Sequence, residues 1–181
     1  QSQDITATGL HLDLTSGSAT LSRSTNDIGT VSANLAGSGS TLSLADRNAL
    51  SVGTRSSTLL GSTRGVSTNN GNVTLAASAD ASSTTGNLQL DQFVNAGTAV
   101  VDLASGKGAI TENAAVPAAI VTASALRVTA VNTSLLNNTN QVGTLAGTIS
   151  GDAQGLDFTN GQALTVGTVL GTNGLAIGSA S

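Results

Sequence analysis

Apolar and polar residues alternate in short runs along the whole chain. A period of two places one side of a run inward and the other side in solvent, which is typical of half-buried β-strands. These runs are LHLDL at 10–14, TLSL at 41–44, NVTL at 72–75, NLQL at 87–90, AVVDL at 99–103, LRVTAV at 126–131, GLDF at 155–158 and ALTV at 163–166. Gly and Asn recur between the runs, as in NNGN at 69–72, and supply the backbone conformations of sharp turns. The pattern predicts an all-β chain.

The best helical window is Ala114 to Leu126. It contains the only proline, Pro117, and several β-branched residues, so it predicts a strand and a corner rather than a helix. This stretch is also too short to span a membrane, and we expect no membrane insertion.

The chain repeats itself without a gap. Residues 8–54 align with residues 122–168 at a constant offset of 114, and fifteen of the 47 positions are identical. Ten of the eleven large aliphatic residues of the first copy meet an apolar residue in the second, the exception being Leu10, which meets Ser124, and we predict that the ten pairs form the core. The pairs are Leu12/Leu126, Leu14/Val128, Leu21/Leu135, Ile28/Val142, Val31/Leu145, Leu35/Ile149, Leu42/Leu156, Leu44/Phe158, Leu50/Leu164 and Val52/Val166. Charged residues do not pair in this way, since Asp13 meets Arg127 and Asp46 meets Asn160. Such a repeat is typical of a solenoid or array, with a surface that varies between copies.

Composition narrows the fold further. The only aromatic residues are Phe93 and Phe158, whereas the wide core of a β-sandwich needs many large side chains. Disorder is disfavoured because the aliphatic residues recur at regular positions. We therefore predict a β-solenoid, specifically a right-handed parallel β-helix. Assuming about 20 residues per coil, it would have about nine coils. We expect 1–181 to be one continuous segment of a longer repetitive chain.

Several function classes are disfavoured by composition. The chain has no cysteine, which excludes disulfides and thiolate metal sites. Six basic residues and a net charge of −4 provide no electrostatic footprint for nucleic acid or an anionic membrane.

Residues that could carry chemistry are few and scattered. His11 is the sole histidine, lies between two leucines on a predicted strand, and is expected on the surface rather than in a catalytic triad. No carboxylate pair recurs at the spacing of a coil, and GDAQGLD at 151–157 does not meet a calcium-binding repeat. We expect no catalytic residue, no cofactor and no metal site. The remaining charges are predicted on solvated turns: Asp46, Arg47, Asp91, Asp102, Lys107 and Glu112.

Acceptor sequons for N-glycosylation occur at Asn72, Asn132 and Asn137. They are expected by chance in a chain rich in Asn and Thr, and glycosylation is the alternative.

Four runs carry a family resemblance: GNVTLAAS at 71–78, GAITENAAV at 108–116, VGTLAGTISG at 142–151 and LDFTNGQALTVGTV at 156–169. They resemble repeats of large bacterial exoproteins of the filamentous haemagglutinin type, which are exported by two-partner secretion. The resemblance implies a right-handed parallel β-helix, export through an outer-membrane barrel partner, and a place on a fibre at the bacterial cell surface. The amino-terminal secretion domain of such proteins is not recognisable in this sequence.

The sequence thus predicts a non-enzymatic, secreted structural segment of an adhesin stalk, sheath or matrix fibre. Its expected partner is itself, through end-to-end stacking or adjoining repeats. The main alternative is a module that binds surface glycans, although sugar-stacking Trp and Tyr are absent. A polysaccharide-degrading β-helix enzyme is the third reading; it would be supported by turnover of an acidic glycan that depends on Asp91 or Asp102.

Overall fold

The computed structural model describes residues 1–84, 86–152 and 154–178, and these residues form only strands, turns and loops. The all-β prediction is confirmed, and the window 114–126 is a turn followed by a strand. The strands are β1 (Thr6–Leu14), β2 (Ala19–Leu21), β3 (Asp27–Ser38), β4 (Leu42–Ala45), β5 (Leu50–Val52), β6 (Thr54–Ser57), β7 (Gly61–Arg64), β8 (Val66–Asn69), β9 (Val73–Ala77), β10 (Leu88–Leu90), β11 (Val94–Asn95), β12 (Val100–Ser105), β13 (Ile110–Glu112), β14 (Val121–Ala130), β15 (Ser134–Ile149), β16 (Leu156–Asn160), β17 (Thr165–Val166), β18 (Thr168–Val169), β19 (Thr172–Asn173) and β20 (Leu175–Ile177). The described part of the chain contains no helix long and apolar enough to cross a membrane.

Within the described residues, sixteen strands belong to one large sheet in which every pairing is parallel. The other four strands form two antiparallel hairpins, β6–β7 and β18–β19. Parallel strands need a long connection, and in this chain the number of residues between paired positions varies widely. Leu126 pairs with Leu145, 19 residues further on, whereas Leu50 pairs with Leu88, 38 residues further on.

The pairings form three ladders, which the chain visits in a fixed order. The first ladder includes Gly9, Thr30, Ser51, Gln89, Thr111, Leu135 and Asp157. The second ladder includes Leu12, Ala33, Val66, Val94 and Val121. The third ladder includes Leu21, Leu44, Leu75, Leu103, Val128, Gly147 and Leu175. Each rung therefore stacks directly on the preceding one.

The inward residues of the ladders form one apolar core. Twelve of the predicted core residues are buried: Ile28, Val31, Leu35, Leu42, Leu44, Leu50, Val52, Leu126, Val128, Val142, Leu145 and Ile149. Five more are partly buried and pack against the core: Leu12, Leu14, Leu21, Leu156 and Phe158. Three of the predicted residues are exposed instead: Leu135, Leu164 and Val166.

Register explains the exposure of Leu135. In the first copy Leu21 pairs with Leu44, but in the second copy Phe158, the counterpart of Leu44, pairs with Leu136. Because successive side chains of a strand point to opposite faces, this shift of one residue buries Leu136 and turns Leu135 outward. Leu164 and Val166 are exposed for another reason, since among the described residues no strand stacks on β17 beyond β15.

The sequence repeat is also a repeat of strand pairings. Val31 pairs with Val52, and Leu145 pairs with Val166, so both partners are displaced by 114 residues. The two copies do not occupy the same ladders, however. Strand β4 lies in the third ladder and its counterpart β16 in the first. Strand β8, which follows the hairpin β6–β7, lies in the second ladder. Its counterpart β20, which follows the shorter hairpin β18–β19, lies in the third. The second copy is therefore advanced by one ladder.

Each copy also inserts a hairpin at the same place. Gly65 N–H donates to Gly53 C=O at 2.8 Å, and Gly174 N–H donates to Gly167 C=O at 2.8 Å. These bonds close the bases of β6–β7 and β18–β19, although the second hairpin is shorter. The chain thus returns to its ladder after each insertion.

Candidate ligand-binding surface

The outer face of the second ladder carries a continuous row of polar side chains. Neighbours in this row stand on adjacent rungs, about 4.8 Å apart. The row is Asp13, Asn34, Ser67, Asn95, Thr122 and Gln141. Asn34 Nδ2 donates to Asp13 Oδ1 at 3.1 Å. The row presents amides and hydroxyls at a regular spacing.

The first hairpin forms one wall of a cleft on this face. Strand β7 contributes Thr63 and Arg64, and the second ladder contributes Asn34 and Ser67. The cleft has a volume of about 460 Å³ and is also lined by Phe93. Arg64 is exposed, and its Nη2 donates to Gln92 Oε1 at 3.2 Å. A cation, an amide and an aromatic residue therefore line one shallow cleft.

Phe93 is placed by the corner between β10 and β11. Its carbonyl accepts the N–H of Val66 at 2.9 Å, which fixes the corner against β8. Phe93 also lines a second cleft of about 250 Å³, together with Asn95, Ala118, Ile120 and Thr122. Phe93 thus belongs to both clefts, and both include members of the polar row, an arrangement that suits an extended ligand with apolar and hydroxyl groups.

His11 points outward, as its strand position predicts, but it is not a freely exposed side chain. The hairpin β6–β7 lies over it, and His11 Nε2 is 2.7 Å from Thr63 Oγ1. Its Nδ1 is buried without a partner, and the neighbouring Ser32 Oγ is also buried without one. The expectation of a surface histidine is corrected to a half-buried one, because the hairpin was not foreseen.

Three of the charges predicted on solvated turns are buried. Asp46 is 0% exposed and accepts the backbone N–H of Ile28 at 2.6 Å and of Asn48 at 2.8 Å. Burial raises the pKa of its carboxyl above the usual value, and these two hydrogen bonds oppose that rise. Its side chain closes a corner of the fold, which is a structural role.

Asp102 lies on the outer face of the third ladder and pairs with Arg127 on the next rung. The contact is bidentate, at 2.8 Å from Nε to Oδ1 and 2.6 Å from Nη2 to Oδ2. The hydrogen bonds to Asp102 raise the pKa of the Arg127 guanidinium. Arg127 Nη1 also donates to the carbonyl of Leu170 in the second hairpin at 3.3 Å. The pair links two rungs and the hairpin that covers them.

Glu112 stands in an inward row of the first ladder, stacked on Leu90. Its Oε2 accepts the backbone N–H of Asn138 at 2.7 Å, whereas its Oε1 is buried without a partner. Burial raises the pKa of this carboxyl to about 7. Asp91, by contrast, is half-buried at a corner, where its carboxylate accepts a hydrogen bond from Asn113 Nδ2 at 2.9 Å. Lys107 is exposed.

Within residues 1–84, 86–152 and 154–178, no three His, Asp or Glu side chains gather in a way that could hold a metal ion. The segment 151–157 includes Ala153, which lies outside the described residues. The sequon residues Asn72, Asn132 and Asn137 are all exposed.

Comparison with protein-family models, curated proteins and solved structures finds no match.

Sequence reasoning missed the cleft because it missed the hairpin. The available signal was the spacing of Gly53, Gly61 and Gly65 around two short polar runs. Gly61 and Gly65 have φ values of 72° and 65°, which glycine adopts without strain.

Proposed function

We propose that this chain is a structural segment of an extracellular fibre, folded as a right-handed parallel β-helix of seven coils. The observation that carries the proposal is the third ladder, in which seven rungs from Leu21 to Leu175 stack without interruption. Parallel strands joined by crossovers are overwhelmingly right-handed. Seven coils replace the nine expected from a uniform coil length, because hairpins and corner loops lengthen several coils.

The mechanism is cumulative backbone pairing along one axis. Each coil hydrogen-bonds only to the coils on either side, so stability grows as a sum of neighbour terms and the rod resists bending. Buried Leu, Val and Ile rows fill the narrow interior, while the polar outer rows face solvent. Display on a bacterial surface fibre and export by two-partner secretion follow from the resemblance of runs such as 142–151 and 156–169.

Electron microscopy of native material that contains this sequence tests the proposal. We expect thin, unbranched fibres with a meridional spacing of about 4.7–4.8 Å along the axis. Compact particles without that spacing would contradict the fibre role.

A glycan-binding role is the second candidate, and the two clefts around Phe93 favour it. The polar row supplies hydroxyl and amide partners for a saccharide, and the ring supplies an apolar face. Glycan-array binding by the purified chain, followed by titration of R64A and F93A, tests this role. We expect both variants to weaken binding at least about tenfold. R23A is the matched control, because Arg23 is exposed, lines neither cleft and pairs with Asp4.

A further inference from the structure

The last strands of the chain expose apolar side chains whose repeat counterparts are buried. Val166 is 54% exposed, whereas Val52 is 0% exposed. Leu164 is 37% exposed, whereas Leu50 is 0% exposed. Residue type therefore does not account for the difference in exposure.

Strand β20 shows the same difference in exposure from its counterpart β8. The two strands are matched by allowing for the second hairpin, which is shorter than the first. Gly174 closes its hairpin as Gly65 does, so Leu175 corresponds to Val66. These two residues occupy equivalent rungs, on Gly147 and Ala33 respectively. Leu175 is 41% exposed and Val66 is 0% exposed.

In the first copy a further strand pairs with each of these strands and covers it. In the second copy no such strand is present among the described residues. Strand β4 is covered by β9, β5 by β10 and β8 by β11. Their counterparts β16, β17 and β20 pair on one side only among the described residues. Their other edge presents backbone groups ready for pairing beside an apolar stripe.

We infer that this edge, formed by β16, β17 and β20, is a docking surface for a segment with the sequence pattern of residues 73–95, supplied by an adjoining unit of the same kind. The segment carries β9, β10 and β11, which in the first copy cover the equivalent edge. Its inward side chains are Val73, Leu75, Leu88, Leu90 and Val94, all buried. They would cover Phe158, Val166 and Leu175. The inference rests on the proposed role of the chain as a segment of a repetitive fibre. It specifies that a segment with the pattern of residues 73–95 stacks on the edge formed by β16, β17 and β20.

The test extends the chain with its own sequence. Leu175 corresponds to Val66, so the position after Ser181 corresponds to Val73, and a second copy of residues 73–121 is fused there. Hydrogen exchange of the amides in β16, β17 and β20 is compared with that of the unextended chain. We expect exchange to slow by about tenfold or more. The control extension carries serine at the five inward positions and should leave exchange unchanged.

A second measurement uses the unextended chain with a synthetic peptide of residues 73–95, and a peptide with serine at the same five positions as its control. We expect protection of the same amides with the native peptide alone. If neither the native extension nor the native peptide protects more than its control while β4 and β5 stay protected, the docking inference is wrong. If docking occurs but native material forms no fibres, the fibre proposal fails and the docking surface stands.

Discussion

Asp46 and Asn160 make the same hydrogen bond in the two copies of the repeat. Asp46 Oδ1 accepts the N–H of Ile28 at 2.6 Å, and Asn160 Oδ1 accepts the N–H of Val142 at 2.9 Å. Donor and acceptor are both displaced by 114 residues. The position therefore requires an oxygen at the end of a short side chain and does not require a charge.

Replacement of Asp46 tests this requirement. D46N keeps the acceptor for Ile28, loses the acceptor for Asn48 and removes a buried carboxylate, so we expect the free energy of unfolding to fall by about 1 kcal/mol. D46A leaves the N–H groups of Ile28 and Asn48 without acceptors and should cost about 2–4 kcal/mol. Urea unfolding at neutral pH measures both. Equal losses in the two variants would contradict the view that a neutral acceptor suffices at this position.

Gly65 is required by its contact as well as by its φ. A Cβ at Gly65 would overlap the carbonyl oxygen of Phe93, whereas a Cβ at Gly39 would meet nothing within 4 Å. Their φ values are similar, 65° and 69°. We expect G39A to lower the free energy of unfolding by about 1–2 kcal/mol, the cost of the left-handed conformation. G65A should cost at least about 2 kcal/mol more and expose the first hairpin to proteolysis, and similar losses in both variants would contradict the contact argument.

Glu112 should make the stability of the protein depend on pH. Its pKa is about 7 in the folded protein and about 4.5 without the fold, because burial disfavours the carboxylate. The unfolded chain therefore loses this proton at lower pH than the folded chain. The contribution is fully present below about pH 4.5, declines as pH rises, and is lost above about pH 7. The expected loss is on the order of 3 kcal/mol.

The variant E112Q isolates this effect. Its side chain has the same shape and can still accept the N–H of Asn138, but it does not ionise. Urea unfolding between pH 4 and pH 8 should show a flatter pH profile for E112Q than for the parent chain. D157N is the control, because Asp157 is exposed on the same ladder. A parallel decline in E112Q and the parent chain would assign the pH dependence to another group.

Arg127 should hold the second hairpin in place. R127A removes both bonds to Asp102 and the donor to Leu170, and leaves a nearly buried carboxylate unpaired, since the Asp102 side chain is 10% exposed. We expect a loss of about 2 kcal/mol and faster hydrogen exchange in β18 and β19. R23A breaks an exposed pair with Asp4 and should cost less stability than R127A, because solvent screens exposed charges. Unchanged exchange in β18 and β19 would separate the ion pair from the hairpin.

Strands and core could be predicted from the sequence because both follow local rules. Alternation identified the strand at Leu10–Leu14 and those at 72–75 and 87–90, and the repeat identified buried pairs such as Val31 and Leu145. The one-residue register shift could not be predicted in this way. Leu135 and Leu136 are both leucine, so the alternation of apolar residues fits either one as the buried residue. The pairing partner decides which of them is buried.

The burial of polar groups could not be predicted from the pattern of hydrophobic residues. Asp46 and Glu112 were predicted as solvated charges because their hydrogen-bond partners inside the fold are distant in the sequence. Those partners, Ile28 and Asn138, lie 18 and 26 residues away. The cleft at Phe93 was hidden for the same reason, since its walls come from three separate coils.

The one-ladder advance between copies has a geometric consequence. From β4 to β16 the chain makes four full turns and one further ladder, so a unit is not a whole number of turns. In an array of such units each feature recurs on the next side of the rod, and three units bring it back to its first side. The units are then related by a screw operation. The hairpins would project from three sides of the rod in turn, one side for each successive unit.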